Sequence, residues 1–388
     1  MEAKINEIFN LLNSENKINE LSLYEGVGGQ LLFRYIAGKQ KLYLEDDLNS
    51  ILIDKLANNI IDANKPQYTF ASGISGISWL FHYLNKNKYI DLEDDFFCDI
   101  DEILVSAAFK YLTYKDYDFL HGAGGIIFSL LMRPEDNRIS LELLTRHLLD
   151  SRIEFDEYKV WEFRSPNSPF DRVQVNMGLA HGLPSMLVLL SKLYFNNILP
   201  HECLEAINEC YSFIKKQKNK NITIDSFSLY PTFVTEGEEN TYKSRLAWCY
   251  GDLGVGIAMY VAGNNTNNDL MQKEAINIYK YYSDFINEPK LLVRDSTLCH
   301  GAAGVVHLYN RMYRNTKEPA FINTAEYWIS VLKDMSHHED GLAGYKACEI
   351  DGWKNSYSLL EGIGGIGLVL SSYLLNETPD WDECLLIS

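Results

Sequence analysis

Three residues of this 388-residue chain have the types and the register for metal chemistry: Cys249, Cys299 and His300. Each cysteine stands two positions before a glycine, Gly251 and Gly301, and His300 directly follows the second cysteine. Two thiolates and a neutral imidazole make a three-ligand zinc site with one position open, the pattern of a catalytic rather than a structural zinc. A separation of 50 residues between the cysteines is not finger spacing, so the shared register carries the argument. A second reading stays open at this point, in which both are small buried hydrophobes, as solitary cysteines commonly are. Cys203 and Cys210 fall on one helical segment, and Cys98, Cys348 and Cys384 stand alone; these five read as structural.

That register belongs to a pattern that occurs seven times, a small-residue turn followed at once by an apolar run. It reads YEGVGGQLLF at Gly26, ASGISGISWLF at Gly73, LHGAGGIIFSLL at Gly122, AHGLPSMLVLL at Gly182, CYGDLGVGIAMY at Gly251, CHGAAGVVHLY at Gly301 and LEGIGGIGLVL at Gly362. The second small position is glycine in six copies and Ser185 in the other, and the intervals run from 47 to 69 residues. The residue before the first glycine is Glu25, Ser72, His121, His181, Tyr250, His300 or Glu361, polar in every copy. Turns favour polar residues in any case; a ring of such turns would also gather these side chains toward one end of a central cavity.

The elements that position these residues follow from hydrophobic period. Ile5, Ile8, Phe9 and Leu12 recur at helical spacing, and so do the apolar residues of 46–63, 91–113, 141–152, 202–217, 269–286 and 320–336, with charges opposite. Each repeat is therefore an amphipathic helix, a turn and a helix apolar all round, which must be buried. The expected fold is all-α, one domain over 1–388, an α/α toroid of seven inner and seven outer helices. A linear solenoid is the alternative, although its helices keep a solvent face. Two stretches break the pattern, about 152–175 and 221–246, where β-branched and aromatic residues with Pro and Gly predict short strands or ordered loops.

A net charge of -18 and a pI near 4.9 oppose binding to a phosphate backbone, which excludes nucleic acid as a partner. The surplus serves solubility, and it would also attract a cationic peptide. No stretch reaches the roughly 18 apolar residues of a membrane span, and the amino-terminal MEAKINEIFNLLNSEN lacks the form of a signal peptide. Seven cysteines at irregular spacing suit reduced thiols in a cytoplasm.

WCYGDLGVG at Trp248–Gly256, CHGAAGV at Cys299–Val305, NMGLAHG at Asn176–Gly182 and YDFLHGAGG from Tyr117 resemble, in order, the motifs of the lanthionine synthetase C-like family, and the likeness spans the chain. The resemblance implies an α/α toroid and one zinc ion held by Cys249, Cys299 and His300. It also implies His181 and Asp118 as acid or base, Arg245 as an orienting group, and Tyr250 as a group beside the metal or handling a proton. Asp118 equally fits a helix cap, and His181 a buried structural histidine. Departures are His121, Pro184 and Ser185, none of which removes a proposed ligand.

The implied reaction adds peptide cysteine thiols to dehydroalanine or dehydrobutyrine, forming thioether rings within a dehydrated lanthipeptide precursor. Two thiolate ligands leave zinc electron-rich, which suits thiol alkylation better than water activation. The dehydration itself is expected from a separate dehydratase in a transient complex. Three other readings compete: a prenyltransferase-like zinc toroid, which needs basic residues for a diphosphate; a toroidal glycosidase, which needs paired carboxylates; and a non-enzymatic zinc protein that binds glutathione or a partner.

Overall fold

The computed structural model describes residues 1–13, 20–38, 47–62, 67–93, 95–163, 172–285, 292–375 and 378–388. Among them the chain forms α1 (Glu2–Leu12), α2 (Val27–Gly38), α3 (Asp47–Asp62), α4 (Ile74–Lys86), α5 (Cys98–Thr113), α6 (Ala123–Leu130), α7 (Arg138–Asp150), α8 (Leu183–Phe195), α9 (Pro200–Lys216), α10 (Asp252–Asn265), α11 (Asp269–Ser283), α12 (Ala302–Thr316), α13 (Pro319–Asp334) and α14 (Ile363–Leu374). The even-numbered helices all begin at or just after a motif glycine, as the seven-fold pattern predicts. They are buried around most of their circumference, whereas the odd-numbered helices bury one face. The segment expected to be helical from 91 starts only at Cys98, because 95–97 form a turn that leads into it.

Glycine begins each apolar helix for a reason visible in the backbone. In five turns the first helical N–H reaches back to a carbonyl seven residues earlier: Val27 to Glu20, Ile74 to Gln67, Ala123 to Asp116 and Ala302 to Asp295 at 2.9 Å, and Ile363 to Ser356 at 3.0 Å. This tight return brings the earlier strand of the turn against the glycine. A Cβ on Gly182 would sit 2.2 Å from the Asn176 carbonyl oxygen, closer than any side chain can be accommodated. At Ser185 a side chain is tolerated, and its hydroxyl donates to the Gly182 carbonyl at 2.6 Å.

The helices fall into two compact units, Met1–Asp94 with Val293–Trp381, and Asp95–Leu292 with Asp382–Ser388. Within the second unit α6 packs beside α8 and α8 beside α10. Within the first, α12 packs beside α14, α14 beside α2, and α2 beside α4. The last apolar helix thus lies against the first, which a linear solenoid does not allow. Each of α8, α10 and α12 packs extensively on the amphipathic helix that follows it, α9, α11 and α13. The cause is connection length: these links span only 196–199, 266–268 and 317–318, and short links force antiparallel neighbours.

Three two-stranded antiparallel sheets complete the described residues. In the first insertion β1 (Ile153–Phe155) pairs with β2 (Tyr158–Val160). β3 (Gln174–Asn176) pairs with β4 (Phe233–Thr235), joining the two insertions through Val175 opposite Val234. Much of the second insertion is irregular. A third hairpin, β5 (Ala347–Glu349) with β6 (Gly352–Lys354), was not expected from hydrophobic period.

Candidate active site

In the second unit the turns before α6, α8 and α10 present His121, His181 and Tyr250 as a stack. Ring centroids are 5.7 Å apart for both His121–His181 and His181–Tyr250, with interplanar angles of 19° and 25°. Asp118 divides its two oxygens. Oδ1 accepts the backbone N–H groups of Leu120 and His121 at 2.7 and 2.8 Å, which stiffens the turn. Oδ2 lies 2.7 Å from His181 Nδ1. Asp118 thus braces its own turn rather than capping α6, whose N-cap is Gly122 without a side-chain bond, and its second oxygen is left for His181.

Burial opposes charge on the His181 ring, but the hydrogen bond and negative charge of Asp118, with a smaller pull from Cys249, hold it above the usual histidine range. His121 is shifted the opposite way by burial, partly offset by Asp118. Asp116 is pushed up to about 6 by burial and by the neighbouring Asp118 charge. Two residues that sequence reasoning missed support the stack. Asn176 Nδ2 donates to the Tyr250 hydroxyl at 2.9 Å, while Asn176 Oδ1 accepts the Gly178 N–H at 2.8 Å. Gly178 lets the Tyr250 ring approach, since a Cβ there would be 2.6 Å from the ring.

A cavity of about 660 Å³ opens beside this stack, lined by Asp116, Asp118, His181 and Tyr250 and by Glu162, Phe163 and Phe233 from the insertions. The insertions therefore supply walls of the cavity, as loops carried on a rigid scaffold commonly do. Cys249 is buried, and its carbonyl accepts the Ala180 N–H at 3.3 Å, tying the cysteine's turn to that of His181. The preceding Trp248 is buried and donates from Nε1 to the Leu385 carbonyl at 2.8 Å. Gly251 has φ +141, and a Cβ there would sit 1.9 Å from the Arg245 carbonyl oxygen, so this turn admits only glycine. Arg245 is exposed, and among the described residues its side chain does not line the cavity.

In the first unit the turn before α12 carries Cys299, which is half-buried and donates its N–H to the Leu360 carbonyl at 2.9 Å. The next residue, His300, has Nε2 3.5 Å from Asp295 Oδ2. Of the remaining residues that precede motif glycines, Glu25 is pushed up by burial and by the nearby Glu361 charge. Ser72 donates its N–H to the Thr69 hydroxyl oxygen at 3.4 Å. Cys249 of the second unit, and Cys299 and His300 of the first, together offer two thiols and an imidazole. This donor set suits a borderline-soft divalent ion such as zinc and leaves room for a further ligand. The five other cysteines do not join this group; burial pushes Cys203 and Cys210 up to about 12, which keeps them as inert thiols.

Comparison with known proteins comes to the same place. The family model described as "Lanthionine synthetase C-like protein" matches residues 17–386. The chain is 23% identical to "Nisin biosynthesis protein NisC" of Lactococcus lactis subsp. lactis over 404 residues, 97% of this chain and 91% of that protein. Among solved structures it is similar to "Nisin cyclase", with a TM-score of 0.74, 21% identity, and coverage of 99% of this chain and 97% of that one. The shared fold is an α/α toroid, in keeping with the contact between α14 and α2. No helix among the described residues is long and apolar enough to cross a membrane.

Proposed function

Because this chain belongs to the lanthionine synthetase C-like family, we propose that it is a zinc-dependent lanthipeptide cyclase. Its substrate is a dehydrated precursor peptide, delivered by a separate dehydratase in a transient complex within the cytoplasm. The observation that carries the reading is the Asp118–His181 pair, at 2.7 Å, on the turn tied to that of Cys249, one of the three metal donors that the family motifs imply. The curated relative, by its name, serves nisin biosynthesis, which supports the same assignment.

Zinc held by Cys249, Cys299 and His300 would supply a lowered pKa for the thiol of an incoming peptide cysteine, ordinarily about 8.5. The sulfur forms a bond to the β-carbon of dehydroalanine or dehydrobutyrine. The C=C electron pair moves onto the α-carbon and its carbonyl, and the α-carbon then takes up a proton. One proton leaves the thiol and one is gained at carbon, so product and substrate have equal mass. His181 delivers the second proton from Nε2, because Nδ1 is engaged by Asp118. Asp118 stabilises the charged ring before transfer, and the flanking rings of His121 and Tyr250 fix its plane. Arg245 is assigned to orienting the peptide from the exposed side. Holding both ends of one peptide in the cavity adds the advantage of an intramolecular reaction.

The cavity lining does not favour the prenyltransferase reading: among the described lining residues Asp116, Asp118 and Glu162 outnumber Lys115, and no arginine joins it, a poor environment for a diphosphate. The deciding experiment incubates the protein with a dehydrated cysteine-containing peptide, with and without zinc, and counts free thiols. Loss of thiols at unchanged mass, dependent on zinc, is expected. Thiols that persist with the zinc-loaded protein would refute the assignment.

A further inference from the structure

The aligned turns contain a position, six residues before the motif glycine, that is Asp116 in the third repeat, Asn176 in the fourth and Asp295 in the sixth. Its basic task is to brace the turn. Asn176 Oδ1 accepts the N–H two residues on, at 2.8 Å, and Asp295 Oδ1 does the same for Thr297 at 3.1 Å. An amide therefore suffices for bracing. Asp295 carries more than this task requires. The Thr297 hydroxyl also donates to Oδ1 at 2.9 Å, and the Cys348 N–H of β5 donates to Oδ2 at 2.9 Å. The carboxylate is 1% exposed, and the same Oδ2 faces His300 Nε2 at 3.5 Å.

A buried carboxylate clamped by three donors on two segments cannot rotate away from the ring. A neutral imidazole has one N–H and one lone pair, so the nitrogen that faces a carboxylate carries the hydrogen. We propose that Asp295 is a positioning residue for the metal site: it takes the Nε2–H of His300 and thereby assigns Nδ1 to the metal. The proposal rests on the reading of Cys249, Cys299 and His300 as metal ligands. Such outer partners fix the tautomer and raise the basicity of a ligating histidine, and losing one typically costs about 10- to 100-fold in metal affinity.

The test uses the full chain and zinc alone. Asp295→Asn keeps an oxygen for the turn, as Asn176 does naturally, and removes the charge facing His300. Its zinc affinity, measured by competition with a chromogenic chelator, is expected to fall about 10- to 100-fold, while the zinc-free protein still folds but melts at a lower temperature, since Nδ2 cannot accept the Cys348 N–H. An affinity within about twofold of wild type overturns the proposal. Should Asp295→Asn fail to fold, nitrogen-15 spectra of zinc-free wild type decide independently, with the His300 resonance assigned by its loss in His300→Gln. Hydrogen on Nε2 is expected, and hydrogen on Nδ1 overturns the proposal. A wild type that takes up no zinc overturns the ligand reading beneath it, an outcome distinct from a zinc-binding wild type that is indifferent to Asp295→Asn.

Discussion

Asp118 and Asp295 occupy turns in different units, yet each gives Oδ1 to its own turn and turns Oδ2 toward a histidine. They differ in which nitrogen they meet and in their access to water. Asp118 faces Nδ1 of His181 at 2.7 Å, and both side chains keep some exposure, 20% and 25%. Asp295 faces Nε2 of His300 at 3.5 Å, and its side chain is fully covered. A partly solvated pair beside a cavity can exchange protons, whereas a sealed carboxylate can only orient and polarise. One turn design thus serves two ends, according to how far the carboxylate is buried and which edge of the imidazole it holds.

The sharpest way to break this contrast is to remove one member from each region and read metal and chemistry separately. Cys299→Ala is expected to lower zinc content, measured by atomic emission, from about one per chain to near none, with ring formation abolished. His181→Ala is expected to keep its zinc and to slow ring formation by roughly 10²–10⁴-fold, the usual worth of a general acid. Loss of zinc in His181→Ala would erase the division of labour between the two regions.

Asp118→Asn sharpens the comparison further, because it retains the turn-bracing oxygen and loses the charge on His181. A hydrogen bond to a charged group is worth about 1.5–3 kcal/mol, or roughly 10- to 150-fold in rate. The sign in pH follows from the raised His181 value. An acid must be protonated, so activity falls as pH rises through the folded pKa, and without Asp118 that fall moves to lower pH in a rate profile. An unmoved alkaline limb would show that Asp118 braces the turn and nothing more.

The smallest expected effect concerns Asp116, which burial and the Asp118 charge push up to about 6 from its ordinary 3.8. Between those values the folded protein binds the proton that the unfolded chain has released, so stability falls as pH rises from about 4 to 6 and stays lower above. Asp116→Asn removes this penalty. Its melting temperature is expected to gain on wild type by roughly 1–2 °C more at pH 7.5 than at pH 4. An equal difference at both pH values would mean that Asp116 carries no such penalty.

Much of the scaffold was legible in the chain because each of the seven small-residue turns precedes a long apolar run, and few arrangements bury so many helices apolar all round. The register of Cys249 and Cys299 was legible for the same reason, and the roles proposed for His181 and Asp118 rest on family resemblance rather than on spacing. Asn176 and Asp295 went unread because a side chain that braces a turn looks the same in sequence whether or not its other atom reaches a functional ring. The signal was present in their common offset from the glycine, which only becomes meaningful once the turn's hydrogen bonds are known. The β5–β6 hairpin carried a readable mark in Gly352, at φ +121 just after the Ile350–Asp351 loop, but the flanking strands are too short to show alternation.

The indole of Trp248 bears on how the protein should be handled. Its acceptor is the main chain at Leu385, in a segment where Leu385, Leu386 and Ile387 are buried. Trimming the carboxyl-terminal seven residues would strand that indole N–H immediately before Cys249. Any change that displaces the Leu385 main chain is therefore expected to disturb, through this anchor, the turn that carries Cys249.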